Sequence, residues 1–392
     1  MHLTSISCTS VLMCVLVVGC APRVARRALD DRLARAERNI EKVRFAIDTT
    51  KRLRSRSRAA PYLPQLHARL ADLYIQQARA FIERARALRE RRGDDSGHAS
   101  RAAASRGVTS VQAHLLKRNA IETYRRLLAL APDYVHADRI RFFIGHELRE
   151  LGDYPAMLAA YRELVAKHPR SPYAAEALLV LGDYWIARSQ LDRAEKRLRQ
   201  ALGISAAGAA GARAVAAHKL AWVRLSRGDC KKALLLFERT LTLARASAAA
   251  RPTRGAPRRK LDLRREALVD STYCYAQVGD ADHALSYYRA RASSMTTYRA
   301  ALRKLARRYA VKARYDAAAR ISRAVLRLGG GDVDDLLESV QSLYSAARNV
   351  AKQDDSAARD DVLLMLGALR RVLARDELSA KRRREVRTAI EV

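Results

Sequence analysis

Aromatic side chains are scarce in this chain, at 6% of 392 residues, with two Trp and five Phe. Sheet cores draw on aromatic and β-branched residues, so this shortage points away from a sandwich or barrel. Glycine (17) and proline (9) are also few, which removes collagen-like and low-complexity readings. Acid is short as well: 41 Asp and Glu stand against 75 Lys and Arg, a formal charge of +34 with a pI near 10.8. Such a charge attracts anionic surfaces, whether nucleic acid, lipid head groups, lipopolysaccharide or acidic protein, and does not choose among them. Arg far outnumbers Lys, so part of the charge can be compositional drift. Long apolar runs are missing, save VLMCVLVVG at 11–19, which is too short to span a bilayer as a helix. The five cysteines, Cys8, Cys14, Cys20, Cys230 and Cys274, match no zinc or redox spacing. What is plentiful is alanine, and 49% of residues are apolar, a composition that suits helices packed on helices.

Residues 137–202 hold two helical hairpins written in nearly the same letters. In the first, Gly145 follows Ile144, Gly152-Asp153-Tyr154 breaks the helix, Tyr161 returns on the next helix and Pro169 stops it. In the second, Gly182, Trp185, Ala194 and Ala201 fall at corresponding places. Gly145 and Gly182 are 37 residues apart, close to the helix–turn–helix period of about 34. Small residues at these places let antiparallel helices approach closely, and large ones fill the gap to the next hairpin. The pattern resembles a tetratricopeptide repeat, which implies an all-α, right-handed α-solenoid of tetratricopeptide-like hairpins acting as a binding scaffold.

Residues 1–19 carry no Lys, Arg, Asp or Glu, and the run ends Val17-Val18-Gly19-Cys20-Ala21-Pro22. This resembles a bacterial lipoprotein signal with its lipobox, which implies a diacylglyceryl thioether on Cys20 and a mature chain that begins there. Ala21 after the cysteine implies, in that family, sorting to the outer membrane, with the chain facing the periplasm. The alternatives are an ordinary signal cut nearby or a short anchor, and the lack of Lys and Arg before the apolar run departs from the family pattern. Residues 20–60 follow as a basic helix with a loose apolar stripe, thirteen Lys and Arg against five acids between Ala21 and Arg58. Such a helix either lies on anionic head groups or is a solvated cap for the solenoid.

The solenoid is expected over 61–330. A first hairpin spans 62–90 and 111–131, split by a polar, non-periodic insertion at 91–110 that reads as flexible. After the central pair, 205–214 is a soft connector. The next hairpin carries Ala221, the breaker Gly228-Asp229, Ala233 and Phe237. A loop at 245–260 holds six basic residues, two prolines and no acid. Another hairpin carries Tyr273, Tyr275, Gly279-Asp280, Ala284 and Tyr288, and a weaker one spans 298–326 before Gly329-Gly330-Gly331. That makes six hairpins, with closing helices over 331–392. At Gly152, Gly228 and Gly279 the glycine is expected in the left-handed conformation, with the Asp after it capping the next helix. Tyr161, Trp185, Phe237, Tyr273, Tyr275 and Tyr288 read as inter-helix core. Cys230 and Cys274 sit in adjacent hairpins, as buried free thiols or a disulfide.

Phrases such as FFIGHELRELGDY (142–154) and HPRSPYAAEALLVLGDYW (168–185) further resemble outer-membrane tetratricopeptide lipoproteins of gliding motility and envelope function. That resemblance implies an interaction part of an envelope complex, and the second hairpin is also similar to the repeats of the β-barrel assembly lipoprotein. Nothing catalytic stands out. His146-Glu147-Leu148-Arg149-Glu150 begins like the zinc motif HExxH but puts Glu at its second histidine. No cofactor or metal is called for, and no enzyme is read. The expected function is a lipid-anchored periplasmic scaffold whose basic groove binds acidic segments of envelope proteins. The alternative is a basic repeat protein that binds nucleic acid in the cytoplasm, disfavoured because the basic stretches 245–260 and 381–387 hold no aromatics.

Overall fold

The computed structural model describes residues 9–57, 60–93, 99–249, 262–350, 355–374 and 379–391, and there is no strand among them. The chain forms two compact units, Met1–His168 and Pro169–Val392. Unit 1 holds α1 (Thr9–Arg56), α2 (Leu63–Gly93), α3 (Ala99–Leu130), α4 (Ala137–Glu150) and α5 (Tyr154–Lys167). Here α1 packs on α2, α2 pairs with α3, and α4 with α5. Unit 2 holds the pairs α6 (Pro172–Ile186) with α7 (Leu191–Gly203) and α8 (Ala210–Ser226) with α9 (Cys230–Ala249). Then follow α10 (Leu263–Asp270), α11 (Thr272–Val278) and α12 (Ala284–Arg291), the pair α13 (Met295–Val311) with α14 (Tyr315–Leu328), and α15 (Val333–Ala347), α16 (Asp355–Leu373) and α17 (Ala380–Glu391). The all-α class and the repeated hairpin are therefore the architecture of the protein.

Each hairpin is punctuated by local chemistry. Asp153 accepts from the Ala156 N–H at 3.1 Å and Pro155 sits in the first turn of α5; Ser171 and Pro172 start α6 in the same way, through the Tyr173 N–H at 3.0 Å. Helix α5 ends at Lys167, just before Pro169. Inside the first central hairpin, a Cβ on Gly145 would run into the Tyr161 ring, so the fully buried tyrosine and the glycine require each other.

The structure departs from the sequence expectations in several places. Helices enter the 91–110 stretch from both sides, α2 to Gly93 and α3 from Ala99, because Ala-rich SRAAAS favours helix although it lacks an apolar stripe. The first helix of the 262–290 hairpin is broken into α10 and α11 at Ser271. Ser271 Oγ donates to the Leu268 carbonyl at 2.7 Å and Thr272 Oγ1 to that of Val269 at 2.6 Å, back-bonds that bend a helix. Gly152 and Gly228 are left-handed (φ 78° and 76°), and Asp229 accepts from the Lys232 N–H at 3.2 Å. Gly279 is not left-handed: its φ is −82° and Asp280 turns back to the Asp282 N–H instead of capping α12. Glycine is needed there for room, since a Cβ would lie 2.6 Å from the Tyr275 ring. Cys230 and Cys274 are free and buried, and burial pushes the Cys274 thiol well up. Most of the basic loop, from 250 to 260, lies outside the described residues, as do residues 1–8 and the side chain of Cys20.

Candidate partner-binding face

In unit 2 the first helix of each hairpin turns a small residue toward its neighbours: Gly182, Ala221, Thr272 and Ala306, all buried. The next residue is rotated about 100° from it on a helix of 3.6 residues per turn. Asp183, Trp222, Tyr273 and Arg307 occupy that next position, and all four are exposed, Trp222 at 38% and Tyr273 at 37%.

Neighbouring side chains tie this column together. Lys219 Nζ reaches Asp183 Oδ1 at 2.8 Å, joining α8 to α6. Trp222 Nε1 donates to Asp270 Oδ2 at 3.1 Å, and His218 Nε2 lies 2.9 Å from the same oxygen. With its N–H satisfied, the indole offers a free ring. The Tyr273 ring meets it edge-on at 5.5 Å between centroids. Arg308 stacks over Tyr273 and donates through Nε to Thr272 Oγ1 at 3.1 Å. Trp, Tyr and Arg are the residue types that dominate binding energy at protein interfaces, because each combines a large rigid contact with a polar handle.

Beside the column, a groove of about 380 Å³ opens between α10, α13 and α15. Its charged lining is Asp262, Glu266, Asp270 and Glu338 against Arg265, Arg303 and Lys304, and Arg303 bonds to Asp335 and lies 3.8 Å from Glu338. The groove on this face is therefore of mixed sign, where the sequence led us to expect a basic one. Some first-helix cations are held by neighbouring helices, Lys219 by Asp183 and Arg303 by Asp335. A groove of similar volume in unit 1, between α3, α4 and α5, has the other balance, with Arg125, Arg141 and Lys167 around Glu163. Hydrogen bonding from Lys167 outweighs partial burial there and, with Arg141, holds the Glu163 carboxyl below its ordinary range.

The residues singled out by the repeat pattern lie at the seams rather than on this face. Gly182 packs against Leu198, and Ala194, Ala221, Ala233, Phe237, Ala284 and Tyr288 are all fully buried. Two aromatics expected in the core are not buried. Trp185 is half-buried with the Arg193 guanidinium 4.8 Å from its ring centroid, and Tyr273 belongs to the exposed column. Trp222 escaped the sequence reading altogether. Its signal was register: it follows the small Ala221 directly, as Asp183 follows Gly182.

Residues 146–255 match a family model described as a tetratricopeptide repeat-like domain. The repeat is tetratricopeptide-like. No curated protein matches the chain. Among solved structures, the chain is similar to the C-terminal part of a tetratricopeptide repeat-containing protein from Cytophaga hutchinsonii, at 13% identity, 91% coverage of this chain, 97% of that one and a TM-score of 0.41. It is also similar to YrrB, a tetratricopeptide protein with an unusual peptide-binding site, at 15% identity over 56% of this chain and 95% of that one, TM-score 0.35. A third is PilF of Pseudomonas aeruginosa, at 13% identity over 81% and 97%, TM-score 0.33. Likeness at this level concerns the repeat fold alone.

Proposed function

We propose that the protein is a lipid-anchored periplasmic scaffold that captures protein partners of a cell-envelope complex on the first-helix face of unit 2. The observation that carries the capture surface is the exposed Trp222–Tyr273 pair, with Arg307 and Arg308 beside it. A partner suited to this face inserts an apolar side chain against the two rings and offers a carboxylate to the arginines. The envelope part of the proposal comes from the sequence, through the apolar run that ends at Cys20, and gliding motility and outer-membrane assembly are the processes its resemblance names. Nucleic acid is the second reading, favoured by an exposed tyrosine under an arginine. Asp270 stands against it, since this carboxylate sits at the edge of the Trp222 ring and would repel a phosphate backbone.

Two measurements test the proposal separately. Palmitate labelling with membrane fractionation, comparing wild type with Cys20→Ala, reads the anchor: label and outer-membrane fractionation are expected in wild type and lost in the variant. An unlabelled wild-type chain in the cytosol would overturn the anchored reading. Photocrosslinking from position 222 in cells reads the face: envelope proteins are expected as adducts, abolished by Tyr273→Ala. Adducts to nucleic acid would select the second reading.

A further inference from the structure

Over residues 37–56 the N-terminal helix α1 keeps its acids off its outer face. Toward α2 it buries Ile40, Val43, Ile47 and Thr50. Its acids Glu37, Glu41 and Asp48 line, together with Arg44 and Lys51, a groove shared with α2 and α3, where Arg84 meets Glu37 at 3.2 Å. On the outer face, Arg38, Lys42, Phe45, Thr49, Arg52 and Arg56 follow one another at steps of three and four residues, which is a single stripe on a helix. All six are exposed, and Phe45 is 75% exposed. No acid interrupts the stripe, and among the described residues none of its four cations forms an ion pair. At 1.5 Å per residue the stripe is about 27 Å long.

We infer that this stripe is a docking surface for an anionic lipid bilayer, with Arg38, Lys42, Arg52 and Arg56 on the head groups and Phe45 inserted between them. Charge complementarity identifies the occupant class, and the lone ring narrows it. Single-stranded nucleic acid is held by successive stacking rings, one base to each, whereas an interfacial helix needs cations in a row and an apolar side chain to enter the head-group layer. Helix α1 thus serves on both sides at once, as a cap for the hairpins through its buried face and as a membrane contact through the opposite one. The inference stands apart from acylation at Cys20 and from capture on unit 2.

The test uses the full chain carrying Cys20→Ser, which removes any acyl chain, and sedimentation with phosphatidylcholine vesicles that contain either none or about a third phosphatidylglycerol, an anionic surface that attracts Lys and Arg. The apolar run at 11–19 contributes to both vesicle types, so the stripe is read from the difference between them. Wild type is expected to partition more strongly to anionic vesicles and to lose that preference in high salt. Each cation at such a surface is worth about fivefold in partition, so reversing all four to Glu should lower it by a hundredfold or more. Phe45→Ala should lower binding to both vesicle types several-fold, at low and high salt alike. A control with reversals at Arg193, Lys196, Lys231 and Arg239, which has the same net charge, should keep most of the preference. Equal loss in the control, or no loss in the stripe variant, overturns the inference. So does a wild type that ignores the anionic lipid yet binds a single-stranded oligonucleotide through the stripe. Circular dichroism on each variant confirms that the helices remain.

Discussion

At five hairpin bends one residue stands five places before the first packing residue of the second helix: Gly152, Ser189, Gly228, Gly279 and Ala313. Four adopt left-handed backbone, with φ of 78°, 56°, 76° and 54° at residues 152, 189, 228 and 313. In those four, the next N–H reaches back to a first-helix carbonyl, as from Arg314 to Tyr309 at 2.9 Å, closing the end of the helix. Glycine takes this backbone freely, but Ser189 and Ala313 carry a Cβ against the carbonyl at a cost of about 1 kcal/mol each. Ala313→Gly should therefore raise stability by roughly 0.5 kcal/mol, net of the extra entropy of glycine in the unfolded chain. The urea midpoint measures it, and a lower midpoint would mean that the Ala313 methyl contributes contacts that outweigh the strain. The glycines made these bends legible in the sequence. Ser189 and Ala313 did not, because the left-handed requirement comes from the hairpin and these residues merely tolerate it. A second prediction concerns Glu147, the residue that looked like half of a zinc motif. Burial alone would raise its carboxyl, but His146 at 3.1 Å and Lys117 at 3.5 Å outweigh it and hold it below the ordinary range. A depressed folded value means that its stabilisation is present above the unfolded value of about 4.3 and is lost as the pH falls through the folded one. Lys117→Met should cost about 3 kcal/mol at pH 7, and Glu147→Gln should flatten the acid limb of the stability profile. Thermal melts between pH 3 and 7 read both, and an acid limb unchanged in Glu147→Gln would place the titration elsewhere.

Elements were legible where side-chain spacing is dictated by packing, and less so where local chemistry intervenes. The pairing of α4 with α5 and α6 with α7 follows from small residues opposite large ones, a pattern any sequence window reveals. The division of α10 from α11 at Ser271 rests on hydroxyl back-bonds that compete with a helix whose apolar pattern runs straight through. Helix α16 shows the converse, an element that adds a buried polar contact to the apolar packing of Ala368, Leu369 and Val372. Asp361, 3% exposed, accepts two hydrogen bonds from Arg323 of α14, at 2.6 and 2.8 Å, and this partnership holds the Arg323 guanidinium above its ordinary range. Asp361→Ala removes both acceptors of Arg323, which is 28% exposed, and should cost about 2 kcal/mol. The loss should be confined to the closing helices: amide exchange over 355–373 should accelerate while the core around Tyr309 stays protected. Uniform acceleration would mean that α16 is part of one cooperative unit with α13 and α14.

For the whole molecule, the charge of +34 reads differently once its placement is known. Ion pairs at hairpin seams, where Arg227 bridges Asp192 and Glu195 at 2.6 Å each and Arg224 joins the same Glu195, occupy many of the 75 Lys and Arg but leave the net charge as it is. What stays unpaired gathers in local surfaces such as the outer stripe of α1, and the groove on the candidate face is of mixed sign. Net charge alone therefore gives no guide to affinity for a partner, and two kinds of variant should separate its effects. On the proposed function, Trp222→Ala removes a ring that would bind through buried area, so capture of the proposed partner should weaken by about 30-fold, the equivalent of roughly 2 kcal/mol, at low and high salt alike. Arg307→Glu with Arg308→Glu removes a contact that salt screens, so its effect should be large at 20 mM salt and small at 500 mM, where the Debye length falls to about 4 Å. Titrating a crosslinked partner against both variants at both salts distinguishes them. If the Trp222 effect also vanished in salt, the ring would be acting by orienting the arginines, and the face would be an electrostatic surface with no apolar anchor.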